Sequence, residues 1–321
     1  MAYPIEEICS QLNRWIILTI IFLGILGNIV NIAVFIRPVF NHHVCSWYYC
    51  ALAVNNAIYS LIVLIYHLLT DGFQIQILTN SISLCHFISF INTFCTGLSH
   101  YLIVLTAVDR WCANSMNARY RRFNSFRVMH WTILITTIFC AIIAVSSSIV
   151  TDFKAMDGLG CSIRANTIYN QFHLIIELIL FVIIAPILMI IFTRLTIQNR
   201  KLIGDLPITV SKCRRMEYHL TDMFFLLVVA HIVLNLSEWI EYLILLRPNM
   251  FRPFILIQTI IRIPIYSSYA LPIVWYLIVG KEFRRELGKM IPIMVPLYRY
   301  AQVNAVSNNN QENHLHIGVL H

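Results

Sequence analysis

Residues 84–111 read LCHFISFINTFCTGLSHYLIVLTAVDRW. From 84 to 108 there is no Asp, Glu, Lys or Arg, and then Asp109 and Arg110 stand side by side before Trp111. A helix rises about 1.5 Å per residue, so roughly 20 apolar residues cross the hydrocarbon of a bilayer. This stretch is long enough to cross, and it ends in an acid and a base where it would meet the membrane surface. Taken alone, that pair also fits side chains snorkelling to the interface.

Runs of the same kind lie on either side, at about 15–36, 46–70, 84–108, 128–150, 170–193, 220–246 and 254–279. They predict an all-α membrane protein, a seven-transmembrane helix bundle. The first four runs hold no formally charged residue, whereas the last three hold several, among them Glu177, Glu238, Glu241 and Arg262. Charge in a span is costly against lipid, so these groups should face the bundle interior or an interface. The composition agrees: of 321 residues, 59% are hydrophobic and 12% charged, against about a quarter charged in soluble domains. The net charge of +8 does not indicate nucleic acid, because Lys and Arg fall in short clusters between apolar runs rather than along one polar face.

Those clusters set an orientation. Arg37, the group Arg119, Arg121, Arg122 and Arg127, the group Arg200, Lys201, Lys212, Arg214 and Arg215, and the group Lys281, Arg284, Arg285 and Lys289 share one side. The other side has only Arg14, Lys154, Arg164, Arg247 and Arg252. By the positive-inside rule the N-terminus is outside and the C-terminus cytoplasmic. The organisation expected is an extracellular N-terminus over 1–14, a seven-span domain over 15–290 and a cytoplasmic tail without structure over 291–321. Met1 to Asn13 has no basic region before Arg14, so no cleavable signal is expected and the first run stays as an anchor. Gly204 and Pro207 mark a loop in the basic stretch 194–217. Lys281 to Lys289 reads as a short amphipathic cytoplasmic helix with Phe283 and Leu287 facing lipid. Nine Cys make no disulfide framework, and Cys50, Cys95 and Cys140 lie within apolar runs as small buried thiols.

Asp109-Arg110-Trp111 resembles the Asp-Arg-Tyr motif of rhodopsin-like (class A) G-protein-coupled receptors, with Trp111 in place of the tyrosine. Gly27-Asn28 resembles the Gly-Asn pair of that family's first span, Leu52-Ala53 the Leu-Ala of the second, Trp131 the tryptophan of the fourth and Pro186 the proline of the fifth. Cys85 and Cys161 resemble the pair whose disulfide ties the loop after the fourth span to the third helix. The set covers about 15–290. It implies a plasma-membrane receptor that transmits ligand binding to a heterotrimeric G protein through Asp109 and Arg110. Asp109 would orient Arg110 at rest, and Glu217 is the nearest candidate partner at the foot of the sixth span.

Two spans depart from the family pattern. The sixth has His231, Leu234, Asn235 and Ser237 where the family has Phe, Cys, Trp and Pro, and here it is most similar to invertebrate FMRFamide-type neuropeptide receptors. Without proline that helix should be straighter unless Ser237 bends it. In the seventh, either Leu271-Pro272-Ile273-Val274-Trp275 stands for Asn-Pro-x-x-Tyr, or Tyr276 is the anchor and Pro272 takes the asparagine's place.

Single residues narrow the ligand. Asn56 replaces the aspartate that helps hold sodium in related receptors, so cation binding there should be weak; it reads foremost as a polar core contact with Asn28 and Ser99, in a network that includes Tyr276. Asn92, at the position where amine receptors carry an aspartate, argues against an amine ligand. Glu238, Glu241 and Tyr242 on the sixth span can meet Gln258 and Arg262 on the seventh, a cavity suited to a short amidated peptide; Glu238 and Arg262 can instead simply pair with each other. His173 and Glu177 have a metal-like spacing, but no third ligand has a compelling position. Neither a metal, a cofactor nor an enzymatic activity is expected. The competing classes are a transporter or channel-like protein, which would need a polar path through the full thickness, and a non-signalling receptor homologue.

Overall fold

The computed structural model describes residues 3–75, 81–152, 162–163, 168–204, 212–245 and 255–290. Helices α1 (Tyr3–Phe35), α2 (Pro38–Asn41), α3 (Val44–His67), α4 (Ile82–Ala113), α5 (Ala118–Arg121), α6 (Phe126–Val150), α7 (Ile168–Glu177), α8 (Ala185–Gly204), α9 (Lys212–Leu245), α10 (Ile255–Ala270), α11 (Pro272–Val279) and α12 (Lys281–Met290) follow in order. Among the described residues six helices are long and apolar enough to cross a membrane, and α10 with α11, bent by 56°, makes a seventh when taken as one span. The chain is thus an all-α, multi-spanning membrane protein with short extra helices, and the spans fall where the apolar runs predicted them.

Burial separates the helices. In its apolar window α4 is 56% buried and α6 only 22%, so α4 is the central strut, packed against α3, α6 and α8, and α6 is peripheral. Trp131, Ile135, Ile138 and Ile142 form an exposed stripe on α6 at the i, i+4, i+7 spacing of one helix face. In water that stripe would be a liability; against lipid it is the ordinary outer surface.

Local breaks follow proline chemistry. Leu178–Ile184 is π-helical and ends two residues before Pro186; a widened turn accommodates a residue that cannot donate to the carbonyl of Val182 and would clash with it. The seventh span breaks at Leu271, where Pro272 opens α11 and leaves the carbonyl of Ser268 without its usual donor. Asn28 serves this break, its Nδ2 donating to Tyr269 O at 2.9 Å and to Gly24 O at 2.7 Å. Gly27 is needed beside it, since a Cβ there would sit 2.7 Å from Ile273 Cγ2. α9 has no proline and runs unbroken for 34 residues, as its sequence predicts.

Four features differ from the sequence reading. α1 extends over most of 1–14, held to the end of the second span where Ser10 Oγ and Arg14 Nη2 donate to Gly72 O at 2.8 and 3.2 Å and Arg14 lies over the Phe73 ring. Thr151–Asp152 and Ser162–Ile163 pair as a two-residue antiparallel ladder, too short to give an alternating pattern. Phe283 does not face lipid: it is fully buried, with its ring 5.5 Å from Phe35 and 5.6 Å from Tyr276. α12 therefore turns its apolar edge into the bundle, where the aromatic cluster offers better packing than a membrane surface, and Leu287 is partly buried on the same side. Lastly, Asn28 bonds to the backbone of α1 and α10, as above, rather than to Asn56.

Candidate functional site

Polar and charged groups in the bundle collect at three depths. At the basic end, Arg110 is completely buried near the foot of α4. Its Nε and Nη2 donate to Asp109 Oδ2 at 3.2 and 2.7 Å, and its Nη1 donates to Glu217 of α9. Glu217 in turn accepts from His43 Nδ1 at 2.6 Å. One guanidinium thus faces two carboxylates, one on its own helix and one across the bundle, and the histidine before α3 steadies the distant one. Such charge-assisted contacts are short and directional. Alongside, Arg200 Nη1 of α8 donates to Asp222 Oδ1 of α9 at 2.6 Å, and Tyr49 donates its hydroxyl hydrogen to Leu220 O at 3.1 Å. The foot of α9 is therefore tied to α3, α4 and α8 by polar contacts. Asp109, Arg110 and Glu217 are brought together; His43, which sequence reasoning missed, completes them.

At mid-depth lies a cavity lined by Asn56, Ser99, His231, Ser268, Pro272 and Trp275 among others, with about 10 Å³ open to the centre of a water molecule. That is roughly the room one water needs. Asn56 and Ser99 do share this cavity, without Asn28. Tyr276 is buried below it against Tyr49 and Phe35, whereas Trp275 is only half-buried. In the seventh span the proline break and the buried aromatic are thus both present, five residues from Leu271 to Tyr276.

In the half away from the basic end, Glu238 is 5% exposed and its Oε2 is 3.5 Å from His100 Nε2. The His100 and His231 rings are 4.8 Å apart, and Asn235 Nδ2 lies 2.8 Å from His231 O and 3.1 Å from its Nδ1. Nearer the mouth, Arg262 Nη1 is 4.0 Å from Asp71 Oδ2, which is also 3.0 Å from His67 Nδ1. Asn92 is half-buried on α4. Asp71 and His100 were missed by sequence reasoning, although a histidine inside an apolar span and an acid four residues after His67 were visible signals. His173 does contact Glu177, at 3.2 Å, and Ser146 at 3.3 Å; among the described residues no group of three or more His, Cys, Asp or Glu is arranged to hold a metal. The side chains of Glu241, Tyr242 and Gln258 lie outside the described residues, as do Cys161 and the tail 291–321. Cys85 is disulfide-bonded and buried, and Cys9 is a free buried thiol.

Residues 27–273 match the family described as 7 transmembrane receptor (rhodopsin family). No curated protein matches the chain.

Proposed function

The chain belongs to the rhodopsin family of seven-transmembrane receptors, and from that membership we propose that it receives a short peptide outside the cell and passes the signal to a heterotrimeric G protein. The observation that carries the signalling half is Arg110, buried and held between Asp109 and Glu217. An inter-helix latch of this kind gives two discrete states, closed with Arg110 on α9 and open with it released, and a switch needs such a bistable element. In this reading the basic end is cytoplasmic, the N-terminal segment 1–14 is outside, 15–290 is the receptor and 291–321 is a cytoplasmic tail in the plasma membrane.

For the ligand, Asn92, Glu238, Glu241, Tyr242, Gln258 and Arg262 are the contact set. Arg262, about a third exposed near the mouth, meets an acidic or carbonyl group of the peptide, and Glu238 at the floor meets its basic part. An FMRFamide-type ligand suits this combination of acid and base. Cys85 bridges to Cys161 and roofs the cavity. The test is a second-messenger screen of transfected cells against short amidated peptides, with Arg110→Ala as the coupling control. A response lost in that variant at equal surface amount is expected; a response retained in it removes the proposed role of the latch.

A further inference from the structure

α12 buries Phe283 and Leu287 against the bundle, and its outer side is basic. Lys281, Arg284, Arg285 and Lys289 follow at the i, i+3, i+4, i+8 spacing of one helix side; Lys281, Arg284 and Lys289 are exposed and Arg285 is half-buried. Arg37, in the turn between α1 and α2, meets the same helix at Glu286. Against these five cations α12 sets two carboxylates, Glu282 and Glu286, which leaves an excess of three positive charges in the group.

Glu286, buried at 1% exposure, organises them. Lys289 Nζ donates to its Oε1 at 2.5 Å, while Arg37 Nε and Arg285 Nε lie 3.5 and 3.7 Å from its carboxylate. The last two contacts are not hydrogen bonds. Arg285 Nη1 also donates to Glu282 Oε1 at 3.2 Å. A guanidinium has five N–H donors and an ammonium three, so one buried carboxylate gathers these side chains without exhausting them. They remain 32–48% exposed, open to a further anion. Arg284 is occupied elsewhere, its Nη1 donating to Leu277 O and Ile278 O at the end of α11. The depth is that of a headgroup layer. The apolar window of α1 closes at Phe35, and the exposed Ile36 stands directly before Arg37; the exposed Ile278 stands just before α12. Apolar side chains therefore give way to cations at the same level on both segments, as they do where hydrocarbon meets phosphate.

We propose that Arg37, Arg285 and Lys289, gathered by Glu286, bind the phosphate groups of an anionic phospholipid where the end of α1 meets α12. Guanidinium forks match phosphate oxygens two at a time, and a lysine adds a point charge beside them. A headgroup that carries phosphomonoesters, as in a phosphatidylinositol bisphosphate, offsets more of the positive excess than a headgroup with a single charge. Because Arg37 belongs to one segment and Arg285 and Lys289 to the other, one headgroup fastens the two together, beside the packing of Phe283 on Phe35. α12 thus holds the bilayer by charge rather than by an apolar edge.

Binding of such a lipid requires neither peptide nor G protein, so its failure is separable from that of the receptor reading. The purified full chain in neutral detergent is titrated against a fluorescent dioctanoyl phosphatidylinositol bisphosphate, read by anisotropy, for wild type, Arg37→Gln, Lys289→Gln and the two together. Each cation removed should weaken binding about fivefold, and both together about twenty-five-fold. Arg119→Gln with Arg121→Gln, which takes as much charge from α5, should bind as the wild type does. Equal losses in the two double variants would mean diffuse attraction and overturn the site, as would unchanged binding in Arg37→Gln with Lys289→Gln. Free inositol trisphosphate that displaces the probe as well as the unlabelled dioctanoyl lipid does would overturn the lipid assignment in favour of a soluble phosphate. If the variants do not accumulate, the wild type decides: a photoactivatable form of the same lipid should label 36–39 and 281–290, and label confined to other segments overturns the proposal.

Discussion

α4 joins α9 twice, through Arg110 and through His100, ten residues or about 15 Å apart along the helix. The two junctions are built from different chemistry. At the basic end a guanidinium that stays charged at any physiological pH lies between two carboxylates. In the other half an imidazole lies 3.5 Å from a carboxylate, a pair without a permanently charged cation. The first junction is strong but strands two carboxylates if its one cation is removed; the second can be imitated by an amide.

Removing the permanent charge should therefore have the largest effect. Arg110→Ala leaves Asp109 buried beside Glu217 with no cation between them, and breaking a buried ion pair costs about 3–5 kcal/mol. Its melting temperature should fall well below that of Glu238→Gln measured at pH 6. If instead the two variants melt together, the distinction between a guanidinium held by two carboxylates and an imidazole beside one fails. Adding Asp109→Asn to Arg110→Ala should recover part of the loss, because the stranded charge is gone.

Smaller changes are expected one step away from the guanidinium. Glu217 has a quarter of its side chain exposed, so Glu217→Gln should cost roughly 1 kcal/mol while freeing Arg110 from α9. Under the receptor reading it raises ligand-free signalling per receptor at the surface. His43→Ala acts only by loosening Glu217, so its effect on basal signalling should be in the same direction and weaker. A basal signal higher in His43→Ala than in Glu217→Gln would make His43, rather than Arg110, the controlling contact of that carboxylate.

The same contrast governs what could be read in advance. Spans were legible because lipid imposes length and apolarity on each helix separately, and Asp109-Arg110 because its members are adjacent in the chain. The partnership with Glu217 was approachable only through the position of an acid at the foot of the next basic-end helix. His43, Asp71 and His100 were not found, since each gains its meaning from a residue 174, 191 or 138 positions away that only packing brings near. Phe283 was misjudged for a related reason: its helix is amphipathic in sequence, but which surface takes the apolar edge depends on the Phe35, Tyr49 and Tyr276 cluster below it.

The smallest effect should come from the mouth of the bundle, where Arg262 and Asp71 are 4.0 Å apart and each more than about a third exposed. Side-chain freedom and solvent reduce such a pair to about 0.5 kcal/mol, and His67, at 3.0 Å from Asp71, shares the carboxylate. In a double-mutant cycle of Asp71→Asn with Arg262→Gln, the coupling in thermal stability should be no more than about 1 kcal/mol. Each single variant should reach the surface in near-normal amount. Potency separates structure from recognition. If Arg262 meets the peptide, Arg262→Gln weakens every agonist that carries the matching acidic or carbonyl group, and Asp71→Asn does not restore it, because the lost partner is on the ligand. If Arg262 serves only Asp71, the double variant responds as the wild type does. A coupling above about 3 kcal/mol, the range of a buried ion pair, would instead mean that the mouth is as closed as the foot of α4, and the contrast between the two ends would not hold.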